Sequence, residues 1–439
     1  MAFTHERLNE FARHYGFHYD CCDPLALLQD VLTEMERGLR GQPSSLAMIP
    51  AFLSPASRLI PERRVLALDA GGTNLRAALI RFDGQGKAQE ESLVKAAMPG
   101  TYGPIEPEAF FDAIADLCAP LLAQRPEVDE IGFCFSYPMD IITDSDGASD
   151  GILTALSKEV EAPQLIGQRI GSGLRDALAR RGSAIPRRIA LLNDTAATLL
   201  AGLVLAPMPG SGAVGFILGT GFNTAYLEKT IPKIGFDSPQ APQIVVCESG
   251  NFSPRYLGAL DREFDRSTKT PGFYALEKAC AGAYLGPLTL TIVKQAVRDG
   301  VLRFSRSSEL LALETLSSRD LNAFLGAPQS APFGDLFDAG EEEARSGLLY
   351  VASLVTERAA LFSAAVVAAM VERMEAGHDP QQPVGIAVEG TTYMLYQGLR
   401  PALESRLHCL LSRDSPRFYR IAPVENASLL GAAVAALKP

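Results

Sequence analysis

The chain has 439 residues, of which 47% are hydrophobic and 21% are charged, a globular composition that is too large for one compact core and predicts two domains. The net charge of −11 excludes a generally basic surface for nucleic acid or anionic membranes, so an anionic ligand needs local donors or a metal ion. The seven cysteines lack CxxC spacing, which argues against a disulfide framework or a zinc site and predicts a cytoplasmic, reducing location.

No membrane segment is predicted. The first twenty residues are charged and contain no apolar signal-peptide core. The longest apolar run, residues 359–371, is too short to span a bilayer and is predicted to be a buried helix.

The N-terminal part is predicted to be a helical lead-in to the first glycine-rich turn. Residues 5–40 carry apolar side chains at helical spacing, and residues 45–60 form a proline-containing connector. An apolar run then ends in Asp69, and Gly71-Gly72-Thr73-Asn74 separates it from a second run that continues to Phe82. Glycine reaches positive φ without steric cost, so this pattern predicts a tight hairpin.

This hairpin has two interpretations. Its bare backbone N–H groups can approach an anion closely, and the carboxylate of Asp69 can hold a cation directly or through water. The alternative is an ordinary hairpin with a surface aspartate.

The middle of the chain alternates between predicted helices and buried strands, which is typical of an α/β fold. Helices are predicted at residues 107–124, 163–181 and 195–205, and strands at residues 130–137 and 189–192.

A second strand, glycine turn and strand follow at residues 214–227, around Gly219-Thr220-Gly221. We interpret the two hairpins as a structural repeat in which two like domains each offer a glycine turn to one anion. Residues 250–380 are predicted to be mostly helical. A strand at residues 384–388 leads into a third turn, Glu389-Gly390-Thr391, and the chain ends in an apolar helix from residue 428 to residue 437.

The glycine turns together suit a triphosphate held by backbone N–H groups and hydroxyls. The sequence contains no GxxxxGK[ST] motif and no HRD and DFG pair, which excludes P-loop proteins and protein kinases.

Polar residues near predicted strand ends suit a polyol, because carboxylates and amides pair with neighbouring hydroxyls. They are Ser136, Ser157, Lys158, Asn193, Asn223, Glu248 and Glu277. Since none of the five histidines lies in a glycine motif, a carboxylate is the better candidate for a base. Asp194 follows a strand and precedes a helix, where its ionised form is stabilised. It can take the proton of an attacking hydroxyl, or simply cap the helix.

At these residues the chain resembles the hexokinase family, in the actin-like ATPase superfamily. The quoted segments follow the family's order along nearly the whole chain: Leu68-Asp69-Ala70-Gly71-Gly72-Thr73-Asn74-Leu75-Arg76, Phe133-Cys134-Phe135-Ser136-Tyr137-Pro138, Leu192-Asn193-Asp194-Thr195, Gly219-Thr220-Gly221-Phe222-Asn223-Thr224, Pro271-Gly272 to Gly286, residues 385–393, and residues 428–433.

The resemblance implies ATP-dependent phosphorylation of a hexose, first of all glucose, at its 6-hydroxyl. Asp194 would be the base and Lys158 would assist the transferred group. The sugar would be held by Ser136, Ser157, Lys158, Asn193, Asp194, Asn223, Glu248 and Glu277. ATP would be held by Asp69, Gly71, Gly72, Thr73, Asn74, Arg76, Gly219, Thr220, Gly221, Gly390, Thr391 and Ser428, with Mg²⁺ at Asp69 through water.

The implied fold is α/β, with two actin-like (ribonuclease H-like) domains and a cleft between them that closes on the sugar. We expect a lead-in at residues 1–60, a small domain at residues 61–193 plus 425–439, and a large domain at residues 194–424. The expected partners are small molecules, without nucleic acid or membrane, and the expected state is a monomer or a homodimer.

The sequence departs from the family pattern at a few positions. Ser249 stands where a Trp is usual, Ala427 and Leu429 flank Ser428 where glycines are usual, and Phe222 is bulky enough to narrow the cleft. The altered residues 427–429 motivate a second hypothesis, a catalytically weak sugar sensor. A third is an actin- or chaperone-type ATPase, which has no need for the hydroxyl-binding residues.

Overall fold

A computed structural model describes residues 2–53, 62–143, 149–156, 160–183, 185–205, 211–413 and 415–437. The strands in these ranges are β1 (Ile49–Pro50), β2 (Arg64–Ala70), β3 (Asn74–Phe82), β4 (Ala88–Ala97), β5 (Glu130–Phe135), β6 (Met139–Thr143), β7 (Ser149–Leu153), β8 (Arg188–Leu192), β9 (Ala213–Leu218), β10 (Phe222–Glu228), β11 (Thr230–Ile231), β12 (Phe236–Asp237), β13 (Gln243–Val246), β14 (Val384–Glu389) and β15 (Tyr419–Pro423).

The helices in the same ranges are α1 (Ala2–His14), α2 (Pro24–Leu39), α3 (Pro107–Gln124), α4 (Ile170–Arg180), α5 (Asp194–Leu205), α6 (Ala259–Ser267), α7 (Ala275–Cys280), α8 (Leu285–Arg298), α9 (Ser307–Ala312), α10 (Ser318–Gly326), α11 (Glu342–Arg373), α12 (Thr391–Leu395), α13 (Leu399–Leu411) and α14 (Ala427–Ala436).

Two mixed sheets repeat one topology. The smaller sheet has the order β4-β3-β2-β5-β8, and the larger sheet has the order β1-β13-β10-β9-β14-β15. In the smaller sheet, β2 is antiparallel to β3 and parallel to β5. In the larger sheet, β9 is likewise antiparallel to β10 and parallel to β14. The predicted repeat of two α/β units, each with a glycine hairpin at its centre, is therefore confirmed.

Helices α5 and α14 lie between the sheets and touch each other and the strands almost backbone to backbone. A Cβ added at Gly132 on β5 would lie 1.8 Å from the carbonyl oxygen of Ala432, and one at Gly431 would lie 2.0 Å from that of Ala197. A Cβ at Gly215 on β9 would lie 2.5 Å from the carbonyl oxygen of Thr195. We call these contacts the glycine seam. Only glycine permits so close an approach, so the seam fixes how α5 sits between the two sheets.

The lead-in packs on the larger sheet. Leu8, Phe17, Val31 and Met35 are fully buried in the core that also contains the larger sheet's apolar face. β1 pairs with β13 at the edge of that sheet.

The predicted continuous helix over residues 5–40 is wrong, because the chain breaks between α1 and α2. Gly16 has φ +73°. The carboxylate of Asp23 accepts hydrogen bonds from the N–H groups of Leu25 and Ala26, and Pro24 opens the new helix. An aspartate before proline is a helix start signal, and it outweighs the apolar spacing across the break.

The helix predicted from residue 163 begins only at Ile170. Its first turn is capped by the buried carboxylate of Asp150, which accepts hydrogen bonds from the N–H groups of Gly171 and Ser172. Asp150 lies twenty residues before Ile170 in the sequence. The pattern of neighbouring residues therefore does not predict this cap. The predicted helices at residues 107–124 and 195–205 and the final helix are confirmed within a residue.

Helix α11 contains the predicted apolar run and is long and apolar enough, by length and composition alone, to cross a membrane. However, 94% of its most apolar window is buried inside the protein. The predicted buried helix is thus confirmed, and the run is part of a longer core helix.

Candidate active site

The first hairpin ends in a buried ion pair. Asp69 and Arg76 are register partners on β2 and β3, and Asp69 is 5% exposed. Its Oδ2 accepts hydrogen bonds from Nε and Nη2 of Arg76, at 2.9 and 2.5 Å. The turn itself is accessible, with Thr73 and Asn74 exposed to solvent. The predicted phosphate turn is therefore an open backbone loop with one cation and one anion at its base.

Arg76 also joins this hairpin to the start of α14, 350 residues away. Its Nη1 donates to Oδ1 of Asn426 at 2.9 Å, and its Nη2 donates to Oγ of Ser428 at 3.0 Å. Asn426 has the left-handed φ of +53°, while Ala427 and Leu429 are buried within the helix. The two departures from glycine are thus accommodated by helical backbone, and Asn426 takes the left-handed position.

The second hairpin turn is fixed by neighbouring residues, with Thr220 exposed in its middle. The carbonyl oxygen of Gly219 accepts hydrogen bonds from the N–H of Gly282 at 2.8 Å and from Oγ1 of Thr392 at 2.8 Å. Oε2 of Glu277, on α7, accepts a hydrogen bond from the N–H of Phe222 at 2.9 Å. The predicted phosphate turn Gly219–Gly221 and the predicted sugar ligand Glu277 are therefore parts of one local structure.

Asn223 and Glu248 form a second predicted sugar pair. Nδ2 of Asn223 donates to Oε1 of Glu248 at 2.9 Å, and its Oδ1 accepts from the N–H groups of Thr224 and Ser249. Glu248 has a left-handed φ of +55°. A left-handed backbone is energetically unfavourable for a residue other than glycine, and such strained residues cluster at binding sites. Ser249, where a tryptophan is usual, is fully buried and its Oγ accepts a hydrogen bond from Thr224.

The helix cap beside Asp194 is Asn193. Oδ1 of Asn193 accepts a hydrogen bond from the N–H of Thr195 at 2.7 Å, and Asp194 is the first residue of α5. The interpretation of Asp194 as a simple cap is therefore wrong. The carboxylate of Asp194 accepts a hydrogen bond from Oγ1 of Thr195 at 3.1 Å and is half-buried, so it is oriented and still open to a ligand.

A cavity lies between the sheets, beside these residues. Asn193 and Glu248 contribute its polar walls, one from each half of the molecule. The remaining wall is apolar and is formed by Ile49, Pro50, Ala51, Tyr137, Pro138, Met139, Ile141, Leu191, Leu192 and Val246. The two polar side chains in an otherwise apolar lining are typical of a site that orients a small ligand.

Three carboxyl groups from different elements influence one another here. Glu389 ends β14 and accepts a hydrogen bond at Oε2 from Oγ1 of Thr198 at 3.2 Å. Burial, followed by the charges of Asp194 and Asp69, raises the pKa of Glu389 to about 7. The same two aspartates act on the buried thiol of Cys134, whose pKa is raised chiefly by burial. The predicted base and the predicted metal-binding aspartate therefore face a common region.

The remaining predicted residues fall into three groups. Ser136 lies at the end of β5, where its N–H donates to the carbonyl oxygen of Ala70, and Tyr137 donates to the carbonyl oxygen of Gly71. Gly390 packs on the second turn, and Thr391 beside it is exposed. Ser157 and Lys158 lie outside the described residues.

One expectation about the cleft is wrong. Phe222 is only 3% exposed and packs edge-on against Phe216, with ring centroids 5.4 Å apart. It points into the core of the larger half and does not narrow the cleft.

Sequence reasoning missed four side chains of this region. They are Thr198, Glu389, Thr392 and Asn426. Glu389 did carry a signal, because it is a carboxylate at a strand end before Gly-Thr, much as Asp69 precedes Ala-Gly-Gly-Thr.

Comparison with known proteins agrees with this geometry. Two models of the hexokinase family match the chain, one over residues 15–204 and the other over residues 213–438. Hexokinase-1 of Schizosaccharomyces pombe is 29% identical over 423 residues, which cover 92% of this chain and 85% of that protein. Hexokinase-3 of Homo sapiens is 29% identical over 414 residues, which cover 90% of this chain and 43% of that protein.

Solved structures share the fold. A hexokinase from Schistosoma mansoni in complex with glucose superposes with a TM-score of 0.73 at 22% identity and 99% coverage of both chains. Another hexokinase crystal structure gives a TM-score of 0.76 at 21% identity, covering 98% of this chain and 99% of that one. The fold is thus the two-domain actin-like fold of these enzymes. The chain belongs to the hexokinase family and is a hexose kinase, a phosphotransferase.

Proposed function

We propose that the protein transfers the γ-phosphoryl group of ATP to the 6-hydroxyl of a hexose, with Asp194 as the base. The observation that carries this proposal is the position of Asp194. Asn193 performs the capping, so the carboxylate of Asp194 remains available beside the cavity that Asn193 and Glu248 line.

The proposed sugar site uses groups that are already oriented. Asn223 and Glu248 hold each other, and Glu277 is held by the N–H of Phe222. Fixed amides and carboxylates of this kind pair with neighbouring hydroxyls at little further cost in side-chain entropy. Asn193 and Ser136 complete the set on the other side of the cavity, and Ser157 and Lys158 belong to it as predictions from the sequence alone. The solved relative in complex with glucose makes glucose the first substrate to test.

The proposed ATP site uses the two glycine turns and Arg76. The open turn at residues 71–74 supplies backbone donors to phosphate oxygens, and Gly219, Thr220, Gly221, Gly390 and Thr391 form the opposite wall. Arg76 can add a guanidinium donor while Asn426 and Ser428 hold it in place.

Mg²⁺ fits this donor set only as a partner of the nucleotide. No three histidine, cysteine, aspartate or glutamate side chains in the described ranges are grouped so as to hold a metal ion. Mg²⁺ commonly keeps several waters and binds through one or two carboxylates plus substrate phosphates, and Asp69 would supply that carboxylate. When bound, the ion neutralises charge on the phosphate oxygens.

The chemical step then needs one proton transfer from this chain. Asp194 accepts the proton of the sugar hydroxyl as that oxygen attacks phosphorus, while Thr195 orients the carboxylate by its hydrogen bond. Water is also a hydroxyl nucleophile. We therefore propose that the cleft closes only over bound sugar, so that ATP is not hydrolysed without it.

Replacement of Asp194 tests the proposal. We expect Asp194→Asn to lower kcat by roughly 10²–10⁴-fold, the usual effect of losing a general base. Its unfolding midpoint should stay near the parental value, because Asn193 still caps α5. Asp237→Asn, at an exposed carboxylate on β12, is the matched control. Parental turnover in Asp194→Asn would show that Asp194 is not the base.

A sugar sensor is the second candidate, and the observation behind it is the pair Ala427 and Leu429 at the start of α14. Hexose binding by calorimetry, with no product at saturating Mg-ATP, would favour it. Hydrolysis of ATP without any sugar would instead favour an actin- or chaperone-type ATPase. A panel of glucose, mannose, fructose and glucosamine ranks the substrates.

We also propose that the enzyme is located in the cytoplasm. All seven cysteines are free thiols, which suits the reducing cytoplasm. Light scattering of the purified protein distinguishes the expected monomer from the homodimer.

A further inference from the structure

A polar contact joins the helix that carries Asp194 to the strand that carries the third glycine turn. Oγ1 of Thr198, in the second turn of α5, lies 3.2 Å from Oε2 of Glu389, the last residue of β14. The same hydroxyl lies 3.0 Å from the carbonyl oxygen of Asp194. Glu389 thus reaches the backbone of the base through a single intervening side chain.

The packing around this contact leaves it little freedom. Thr198 is fully buried. Further along α5, a Cβ added at Gly202 would lie 2.4 Å from Cβ of Ala387. The helix therefore rests directly on β14, and the hydroxyl of Thr198 cannot turn to solvent for another partner.

The hydroxyl of Thr198 carries one hydrogen and has two acceptors within reach. The hydroxyl donates to Oε2 of Glu389 and to the carbonyl oxygen of Asp194, so one hydrogen links the two acceptors. Burial, followed by the charges of Asp194 and Asp69, raises the pKa of Glu389, while the hydrogen bond from Thr198 and the charge of Arg76 act in the opposite direction.

We infer that Glu389 is a positioning residue for Asp194, which acts through Thr198 to hold the first turns of α5 against β14. β14 continues into Gly390 and Thr391, the proposed ATP wall, so this contact sets where the base stands relative to the transferred phosphoryl group. The inference rests on the proposed function, since it assumes that Asp194 is the base.

Three variants separate this role from a role of charge. Glu389→Ala and Thr198→Val each remove the contact, and Glu389→Gln keeps a group that both donates and accepts. We expect the first two to lower kcat by about tenfold, within the effect of a small misplacement of a catalytic group. The KM for hexose should stay within about twofold of the parental value, because the sugar ligands are untouched.

The double variant and the glutamine variant decide the mechanism. The double variant, Glu389→Ala with Thr198→Val, should have the same kcat as either single variant, since both substitutions remove the same contact. Glu389→Gln should retain more than about half of the parental kcat. Parental kcat in Thr198→Val would overturn the inference, and so would a loss in Glu389→Gln equal to that in Glu389→Ala.

Amide hydrogen exchange gives a readout that does not depend on turnover. We expect the amides of residues 197–199 to exchange faster in Glu389→Ala than in the parent, and at the parental rate in Glu389→Gln. Equal exchange in all three proteins would overturn the inference. If the parent phosphorylates no hexose, the proposed function fails, yet exchange still decides whether Glu389 holds α5.

Discussion

The two glycine hairpins occupy equivalent positions in the two sheets. They carry different residues at one equivalent pair of strand partners. Next to the turn-closing pair, β2 and β3 place the ion pair Asp69 and Arg76, whereas β9 and β10 place Ile217 and Asn223. The first half thus presents charges, and the second presents an amide that holds Glu248. The repeated unit thus carries different polar side chains at one register position without a change of fold.

The surroundings of the two turns differ as well. A Cβ added at Gly71 would meet nothing closer than the carbonyl oxygen of Asn74, at 3.6 Å. At Gly390, which packs on the second turn, an added Cβ would lie 2.3 Å from the carbonyl oxygen of Leu218. The first turn is therefore free to meet a ligand, and the second is fixed by its neighbours.

The largest expected effect tests the fixed side. Gly390→Ala combines φ +131° with this backbone clash and should reduce the free energy of unfolding by about 3 kcal/mol, measured by urea denaturation. Gly103→Ala is the control, because Gly103 has φ +145° and open space around it. An equal loss of stability in both variants would mean that the positive φ, and not the crowding at the second turn, causes the loss.

The next effect tests the charges of the first hairpin. Arg76→Lys leaves one ammonium group where a guanidinium serves Asp69, Asn426 and Ser428. Loss of one charge-assisted hydrogen bond should lower kcat/KM for ATP by about 10–100-fold. Steady-state kinetics should show the hexose KM unchanged. Arg81→Lys, farther along β3 and bound to Gln89, should remain parental. A change confined to the hexose KM would mean that Arg76 belongs to the hexose site and not to the ATP site.

The third effect comes from the largely buried carboxyl group of Glu389. The pKa of Glu389 is about 7, against its ordinary 4.5, so between these values the folded protein holds a proton that the unfolded chain has lost. Stability should therefore fall as the pH rises from 4.5 to 7, by about 1–3 kcal/mol from this group. Denaturation of Glu389→Gln should lack this part of the slope. An identical slope in the variant would contradict the prediction.

The smallest effect tests the open side. Gly71→Ala should change the free energy of unfolding by less than about 1 kcal/mol, in either direction, because the site has room for a methyl group. The methyl group adds bulk to the proposed phosphate turn, so we expect the KM for ATP to rise by about a few-fold while the hexose KM stays constant. A large loss of stability would show that the first turn is as constrained as the second.

The sequence was most informative where local chemistry decides structure. Gly-Gly and Gly-Thr-Gly between apolar runs predicted both hairpins, and Asn193-Asp194-Thr195 before an apolar run predicted the start of α5. In these cases backbone conformation follows from a few neighbouring residues.

Local chemistry could not reveal partners that are distant in the chain. Asn426 meets Arg76 across 350 residues, and Glu389 meets Thr198 across 191. Asp150 caps a helix that begins at Ile170. Such contacts depend on how the two sheets face each other. Patterns in a single sequence therefore predict which polar residues matter but not which partners they bind.

The glycine seam has a mechanical consequence. Gly132, Gly431 and Gly215 place main chain against main chain on successive layers from one sheet to the other. A sliding displacement of one sheet past the other would break these close-packed contacts together, whereas rotation about the helix pair preserves them. Closure over hexose should therefore change the angle between the sheets while their register stays fixed. In solution this would reduce the radius of gyration while the amides of α5 and α14 remain protected.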